Sequence, residues 1–176
     1  MLKKLVSIFL MMSAAFAFAA VDVNKATVAD LDSIKGIVTI RENSVMQTIN
    51  GFASVVYAGN SFFLQNNNTL QSIDGFGQLR HVAQNFFMGY HPQLQTITGF
   101  NNLNTIGGYL SIGANTALQN LNSFSNLTTV GTNLSVTDNA ILNDISGLQN
   151  TTFQPFNGNG LGIVNNPQLS LCNLPN

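Results

Sequence analysis

The fold is decided by two consecutive 24-residue stretches, LQTITGFNNLNTIGGYLSIGANTA (94–117) and LQNLNSFSNLTTVGTNLSVTDNAI (118–141). When the two are aligned without a gap, seven positions hold leucine, isoleucine, valine or phenylalanine in both. A repeat of about 20–50 residues is typical of stacked units, because no single unit can bury its apolar side chains alone. The sequence therefore predicts a stack of 24-residue coils.

The same spacing continues on both sides of these two stretches. Toward the N terminus it reaches residues 28–40. Toward the C terminus it shifts after Leu148 and resumes three residues late at Leu161, which predicts a three-residue insertion within residues 151–156. We therefore expect about six coils. One predicted core column is formed by Met46, Leu70, Leu94, Leu118 and Leu142.

Each coil ends in a short segment in which apolar and polar residues alternate, such as LSI (110–112) and LSV (134–136). Alternation with a period of two is typical of a strand that buries one face. The segments between Gly and Asn residues are too short for a helix in every coil, and they lack runs of Ala, Glu or Lys. The predicted class is therefore all-β, a parallel β-solenoid whose strands stack from coil to coil.

Two other columns are predicted at the corners of the coils. One holds glycine, where we expect a positive φ; its members are Gly51, Gly75, Gly99 and Gly147, with Ser123 as the exception. The other is predicted to be a structural ladder, in which stacked amides satisfy the backbone groups of the turns. Its members are Asn43, Asn67, His91, Asn115, Asn139 and Asn166.

The charge of the chain excludes two classes of partner. Charged residues make up 7% of the chain, far below the usual quarter, and no Lys or Arg follows Arg80. Removal of Lys3 and Lys4 with a leader leaves four basic and seven acidic residues, a net charge of −3. Nucleic acids and anionic membrane surfaces are bound through clustered cations. We therefore expect neither as a partner.

Residues 1–19 are typical of a secretory signal peptide. Lys3 and Lys4 precede an apolar run over residues 5–16, and AFA (17–19) is a small-x-small cleavage pattern. The run is shorter than the roughly 20 residues that span a membrane. We expect no transmembrane segment after signal removal, and a bacterial protein that is secreted, periplasmic or on the cell surface. The rest is divided into an N-terminal cap with the first coil (20–45), the solenoid (46–169) and a C-terminal tail (170–176).

The segment VDVNKATVADLDSIKGI (21–37) resembles the first half of the helix-hairpin-helix module of exported bacterial competence proteins, which receive DNA. The resemblance implies DNA binding through a Gly-Ile-Gly hairpin followed by a second helix. Here Gly36 and Ile37 are followed by VTIR (38–41), which alternates like a strand. Asp30 lies three residues after Thr27, as in a helix N-terminal capping box. We therefore predict a short helical cap over residues 27–34 that covers the end of the solenoid.

The segment LNTIGGYLSI (103–112) resembles the receptor L-domain group of leucine-rich solenoids, found in growth-factor receptor ectodomains, fungal cell-wall proteins and bacterial surface proteins. The segment NNPQLSLC (165–172) is similar to the closing coil of the bacterial members. The resemblance implies a right-handed parallel β-solenoid with a binding or surface role and no enzymatic activity. It also implies two cysteines in the closing coil. Since Cys172 stands alone, we expect either a fragment truncated within its tail or a lost disulfide.

The sequence contains no residue pattern that indicates a reaction. His81 and His91 fall in different columns, with no Cys or carboxylate at a metal-binding spacing. Asp138 and Asp144 lie at expected turns, where Asp is common for backbone reasons. Nucleophile-elbow, phosphate-loop and dinucleotide motifs are missing from the sequence. We therefore expect no catalytic residues, no metal and no cofactor.

The candidate ligand-binding surface is aromatic. Phe63 and Phe87 are one repeat apart in the middle of predicted strands, so both should point outward on adjacent coils. Exposed aromatic clusters mark interaction sites, although such side chains can also simply cover a sheet. The candidate residues are Phe63, Phe87, Tyr57, His81, Arg80 and Tyr90.

The leading functional hypothesis is an exported, non-enzymatic recognition or adhesion module that binds a glycan or a protein at a cell surface. A structural cell-envelope protein is the first alternative, because the same solenoid can act as a spacer. A DNA-uptake protein is the second alternative, suggested by residues 21–37.

Overall fold

The structure, a computed structural model, describes residues 7–10, 19–22, 33–34, 36–154, 160–170 and 174. These residues form an almost entirely β fold with two short 3-10 turns, Asn122–Phe124 and Ser146–Leu148. In chain order the strands are β1 (Ser7–Leu10), β2 (Ala19–Asp22), β3 (Ser33–Ile34), β4 (Val38–Arg41), β5 (Thr48–Ile49), β6 (Tyr57–Ala58), β7 (Phe62–Gln65), β8 (Ser72–Ile73), β9 (His81–Val82), β10 (Phe86–Gly89), β11 (Thr96–Ile97), β12 (Thr105–Ile106), β13 (Leu110–Gly113), β14 (Thr129–Val130), β15 (Leu134–Thr137), β16 (Thr152–Phe153) and β17 (Leu161–Val164).

Three parallel sheets run along the stack. The four-residue strands β4, β7, β10, β13, β15 and β17 form the long-strand sheet. The two-residue strands β3, β6, β9, β12, β14 and β16 form the short-strand sheet, and β5, β8 and β11 form a three-stranded sheet. Partners across the middle of the stack are one full repeat apart, as in Phe62, Phe86 and Leu110. The parallel β-solenoid with a 24-residue coil is thereby confirmed.

The apolar columns form one continuous core. Leu94, Leu118 and Leu142 are buried at the same position of three consecutive coils. Phenylalanine rings form a stack beside them: the centroids of Phe76 and Phe100 are 5.5 Å apart with an interplanar angle of 7°. A second stack crosses the first edge-on, since Phe86 meets Phe100 at 5.1 Å and 87°. Each such ring pair contributes about 0.5–1.5 kcal/mol beyond burial, so the rings hold neighbouring coils in register.

The break in the repeat has two parts. On the short-strand sheet Thr129 pairs with Thr152, one residue fewer than a full coil, whereas Leu134 pairs with Leu161, three residues more. The chain therefore loses one residue before Thr152 and gains four between Phe153 and Leu161. Thr151 occupies the column of Leu127; it is buried, and its Oγ1 donates a hydrogen bond of 2.9 Å to the Leu127 carbonyl. That bond satisfies the hydroxyl in an otherwise apolar column.

The glycine column does not have the positive φ that we predicted. Gly75 and Gly99 lie outside the left-handed region. A Cβ added to Gly75 would lie 3.0 Å from Gly51 N, and one added to Gly99 would lie 3.1 Å from the Ile73 carbonyl oxygen. Glycine is needed here because consecutive coils approach closely at this corner, which is a different reason from the one expected.

The left-handed corner lies in another column, directly before the polar ladder. Six residues, none of them glycine, have φ between 55° and 61° there. They are Glu42, Asn66, Tyr90, Ala114, Asp138 and Asn165. Asn and Asp tolerate this conformation better than Glu, Tyr or Ala do, so three of the coils are strained at this corner.

At the N-terminal side, β1 pairs with β2 in antiparallel orientation. The helix predicted over residues 27–34 falls mostly outside the described residues, and its last two residues belong to β3, which pairs with β6. At those two positions the helix prediction is wrong, because the backbone bonds of Ile34 complete a coil of the solenoid. Residues 38–41, where a helix-hairpin-helix module would begin its second helix, form β4.

Within the described residues, no helix is both long and apolar enough to cross a membrane.

Candidate functional site

The first group of candidate residues lies on the long-strand sheet. Phe63 and Phe87 pair in register on β7 and β10, and both are half-buried. Phe62 and Leu64, on either side of Phe63, point into the core. The alternation of the strand therefore places the two phenylalanine rings on the outer face.

The Phe87 ring lies against its own strand. A Cβ added to Gly89 would be 2.9 Å from Phe87 Cζ, so the ring covers the glycine backbone. The ring centroid of Tyr90 is 6.2 Å from that of Phe87, with an interplanar angle of 39°. Tyr90 is 56% exposed and sits in the left-handed corner. This part of the surface therefore has one exposed tyrosine, beside a phenylalanine ring that packs against its own strand.

The second group lies on the short-strand sheet. Tyr57 on β6 pairs with His81 on β9, and their rings stack with centroids 5.2 Å apart and an interplanar angle of 5°. Tyr57 is 38% exposed, while His81 is half-buried. The column continues with hydroxyl side chains at Thr105 and Thr129. An aromatic pair thus leads directly into a polar column of the short-strand sheet.

An open hollow of about 490 Å³ lies beside this aromatic pair. It is lined by Arg80, His81, Asn102, Asn104, Thr105 and Asn126. The three asparagines were not predicted from the sequence as site residues. The signal was available: Asn104 follows Arg80 by one full repeat, and Asn126 follows Asn102 by the same step, so each pair shares a column.

The amides of the hollow are oriented by the backbone of neighbouring coils. Asn102 Nδ2 donates to the Gly77 carbonyl at 2.5 Å, and Asn126 Nδ2 donates to the Asn101 carbonyl at 2.6 Å. Asn104 Nδ2 donates to the Asn126 carbonyl at 3.2 Å. No hydrogen bond from another described residue reaches Oδ1 of Asn102 or of Asn126. Two fixed acceptors therefore remain for hydroxyl groups of a ligand.

The structure separates the candidate residues into two surfaces. Phe63, Phe87 and Tyr90 belong to the long-strand sheet, whereas Tyr57, Arg80 and His81 lie at the short-strand sheet and its hollow. Within the described part of the chain, no ring contact joins the two groups. The second surface combines an aromatic pair with polar groups in a concave site, which is the usual composition of a binding site.

The polar ladder is built from hydrogen bonds between consecutive coils. Asn43 N–H donates to Asn67 Oδ1 at 3.1 Å, and Asn115 N–H donates to Asn139 Oδ1 at the same distance. Asn115 Nδ2 also donates to the Met88 carbonyl at 3.2 Å. Asn67, Asn115 and Asn139 are buried. The side chains satisfy corner backbone groups that water does not reach, which is a structural role.

His91 occupies one position of this ladder. Its Nδ1 accepts from Asn67 N–H at 3.2 Å, so the neutral ring carries its proton on Nε2. Nε2 has no hydrogen-bond partner among the described residues. Burial lowers the pKa of His91 from 6.5 to about 4.

The carboxylates of Asp138 and Asp144 both accept hydrogen bonds. Asp138 Oδ1 accepts from Asn165 Nδ2 at 2.8 Å, and Asp144 Oδ1 accepts from Ser146 N–H at 2.7 Å. The described residues contain no group of three or more His, Cys, Asp or Glu side chains that could hold a metal ion. Cys172 lies outside the described residues.

No protein-family model, curated protein or solved structure matches this chain.

Proposed function

We propose that this protein is an exported, non-enzymatic recognition module that binds a glycan through the surface formed by Tyr57, His81 and the adjoining hollow. The observation that carries the proposal is the stacked Tyr57–His81 pair at the edge of an open, amide-lined concavity. A sugar ring has an apolar face of C–H groups that packs on aromatic rings, and hydroxyls around its edge that bind amides. The aromatic pair matches the apolar face of the sugar, and the amides of the hollow match its hydroxyls.

The stiffness of the surface supports the proposal. The backbone under the hollow is bonded from coil to coil: Asn104 N–H and Thr105 N–H both donate to the Arg80 carbonyl, at 2.9 and 3.2 Å. Thr105 pairs in register with His81 on one side and with Thr129 on the other. Side chains carried by a backbone that is hydrogen-bonded from coil to coil lose little conformational entropy when a ligand binds. Weak contacts to sugar hydroxyls can then add up to a measurable affinity.

We further propose that the chain is related to the receptor L-domain group, on the residues of segments 103–112 and 165–172. The predicted signal peptide and the low charge support the same placement, outside the cell and at a surface. A binding module without catalytic residues is consistent with that setting.

The experiment is a glycan array probed with the secreted protein, followed by calorimetric titration of the glycans that are captured. We expect Tyr57→Ser to weaken binding by about tenfold or more, because stacking area is lost. Tyr90→Ser is the matched control, since it removes an exposed tyrosine from the long-strand sheet instead, 56% exposed against 38% for Tyr57. We expect it to leave the affinity unchanged. Thermal unfolding of both variants verifies that they are folded.

Three results would overturn the proposal. The first is an array that captures no glycan, and the second is capture of a protein ligand instead. The third is loss of binding in Tyr90→Ser with full binding in Tyr57→Ser, which would move the site to the long-strand sheet.

A structural spacer is the second candidate function. It is favoured by the unbroken pairing of six parallel strands in both the long-strand sheet and the short-strand sheet. A stack of coils paired in this way forms a rigid rod whether or not its faces bind a ligand. Absence of any glycan ligand, together with unchanged cell attachment in Tyr57→Ser, would favour the spacer.

A further inference from the structure

Arg80 is an unpaired cation at the hollow. The guanidinium of Arg41, by contrast, lies 3.9 Å from the Glu42 carboxylate. No hydrogen bond or ion pair joins the Arg80 side chain to another described residue, and Arg80 is exposed. None of the residues that line the hollow is Asp or Glu. Among its lining residues the hollow therefore has one cation and no carboxylate.

We infer that the glycan bound here carries a carboxylate, as in a uronic acid, and that Arg80 binds it. This inference rests on the proposed function, because it names the chemistry of the ligand at the same site. A guanidinium presents parallel N–H donors that match the two oxygens of a carboxylate, and such charge-assisted pairs are about twice as strong as neutral hydrogen bonds. The unpaired Arg80 side chain is free to form that pair.

The neutral groups around Arg80 define the rest of the ligand. Oδ1 of Asn102 and Oδ1 of Asn126 accept hydrogen bonds, so they select hydroxyl groups close to the carboxylate. His81 of the Tyr57–His81 stack lines the hollow together with Arg80, which precedes it in the chain. His81 and the three asparagines line the same hollow, so a sugar ring next to His81 lies in the same hollow as the amides. One negative charge, several hydroxyls and an apolar ring face together describe a uronate residue.

The charge of the chain argues against a polyphosphate as the occupant. A nucleic acid is bound by several cations that neutralise successive phosphates. After Arg80 the sequence contains no Lys or Arg, so the coils that carry Asn102 and Asn126 contribute none. A ligand with isolated charges separated by neutral hydroxyls suits a single guanidinium. A sulfated sugar shares this anionic chemistry, and the test separates it from a uronate.

The test is calorimetric titration of the full secreted protein with oligogalacturonate and oligoalginate, each compared with its carboxyl methyl ester. Sulfated galacto-oligosaccharides form a third arm. We expect the free acids to bind about tenfold or more tightly than the esters, as for loss of one charge-assisted hydrogen bond. The sulfated sugars are expected to bind more weakly than the free acids. The preference for free acids over esters should decrease as the salt concentration is raised, because exposed charges are screened.

Arg80→Gln is expected to bind acid and ester alike. Arg41→Gln is the matched control, since it removes the paired arginine, and we expect it to keep the full preference. Equal binding of acids and esters by the natural protein would overturn this inference while leaving glycan recognition intact. If the sulfated sugars bind more tightly than the free acids, the ligand group is a sulfate ester and the inference of a carboxylate is also overturned. Failure of every sugar in this titration would overturn the inference, whereas failure of every glycan on the array would overturn the proposed function itself.

Discussion

The backbone N–H of Asn67 donates a hydrogen bond to Nδ1 of His91, one coil further along the stack. Everywhere else along the ladder the acceptor at this position is an asparagine Oδ1, as for Asn43 on Asn67 and Asn115 on Asn139. An imidazole can replace the amide only while Nδ1 is unprotonated. A ladder that is otherwise insensitive to pH thus contains one titratable member.

We predict that the protein loses stability in mild acid because of His91. Its pKa is about 4 in the folded state and 6.5 in the unfolded chain. Between these values only the unfolded state takes up the proton, so the free energy of unfolding falls as pH decreases from 6.5 toward 4. A shift of this size corresponds to roughly 3 kcal/mol over the whole window. Urea denaturation at pH 7.5 and pH 4.5 measures the loss.

The control for this prediction is the same pair of denaturation curves on His91→Asn. That variant retains the carboxylates and His81 of the natural chain, so its remaining pH dependence comes from those groups. An equal loss of stability in both proteins would show that His91 is not responsible.

The same substitution is predicted to stabilise the protein at neutral pH. An asparagine at position 91 can accept from Asn67 N–H through Oδ1 and donate from Nδ2 to the carbonyl of Leu64. Asn115 makes the equivalent bond to Met88. His91 Nε2 has no such partner among the described residues, and satisfying a buried donor contributes about 1 kcal/mol. Chemical denaturation at pH 7.5 should show the increase. A decrease would mean that ring packing outweighs the missing bond.

Replacement of Ala114 by glycine is predicted to stabilise the fold by about 1 kcal/mol. Ala114 has φ of 55°, a conformation that disfavours a Cβ but is open to glycine. Ala117, three residues further along, is not among the residues with positive φ, so Ala117→Gly serves as the control. There glycine adds only flexibility to the unfolded chain, and we expect a loss of stability. Thermal unfolding of the two variants should change in opposite directions. Parallel changes would contradict this account of the corner.

The apolar columns made the fold predictable, whereas the corners and the hollow were harder to predict. A buried position such as Leu118 tolerates only similar side chains, so its repeat is visible in the sequence. The left-handed corner holds Glu42, Tyr90 and Ala114 among others, and a column so mixed gives no compositional signal. Its position is fixed by the ladder residue that follows, which sequence reasoning did not use.

The binding surface illustrates the same limit. Tyr57 and His81 were found because aromatic side chains are conspicuous in a polar sequence. Asn102 and Asn126 were missed because asparagine is common throughout this chain and each was considered alone. Only the stacking of coils shows that Asn126 lies beside Asn104 and that both face the same hollow as Arg80. Tracing the columns beside the aromatic pair through the neighbouring coils would have identified both asparagines.

The close approach of coils at the glycine corner gives the last prediction. A Cβ at Gly147 would overlap the Leu121 carbonyl and would lie 2.9 Å from Asn122 Cα, both of which belong to the backbone of the previous coil. Because that backbone is held by its own hydrogen bonds, it cannot move without breaking them. We expect Gly147→Ala to lower the free energy of unfolding by about 2–3 kcal/mol, as overpacking does in a rigid core.

Gly51→Ala tests whether this loss comes from contact or from glycine itself. Gly51 occupies the same column, but a Cβ there meets no atom within 4 Å. Alanine also restricts the unfolded chain, so we expect Gly51→Ala to be neutral or slightly stabilising. Urea denaturation of the two variants at pH 7.5 provides the comparison. If both lose stability equally, the column needs glycine for its backbone conformation, and the explanation by coil-to-coil contact is wrong.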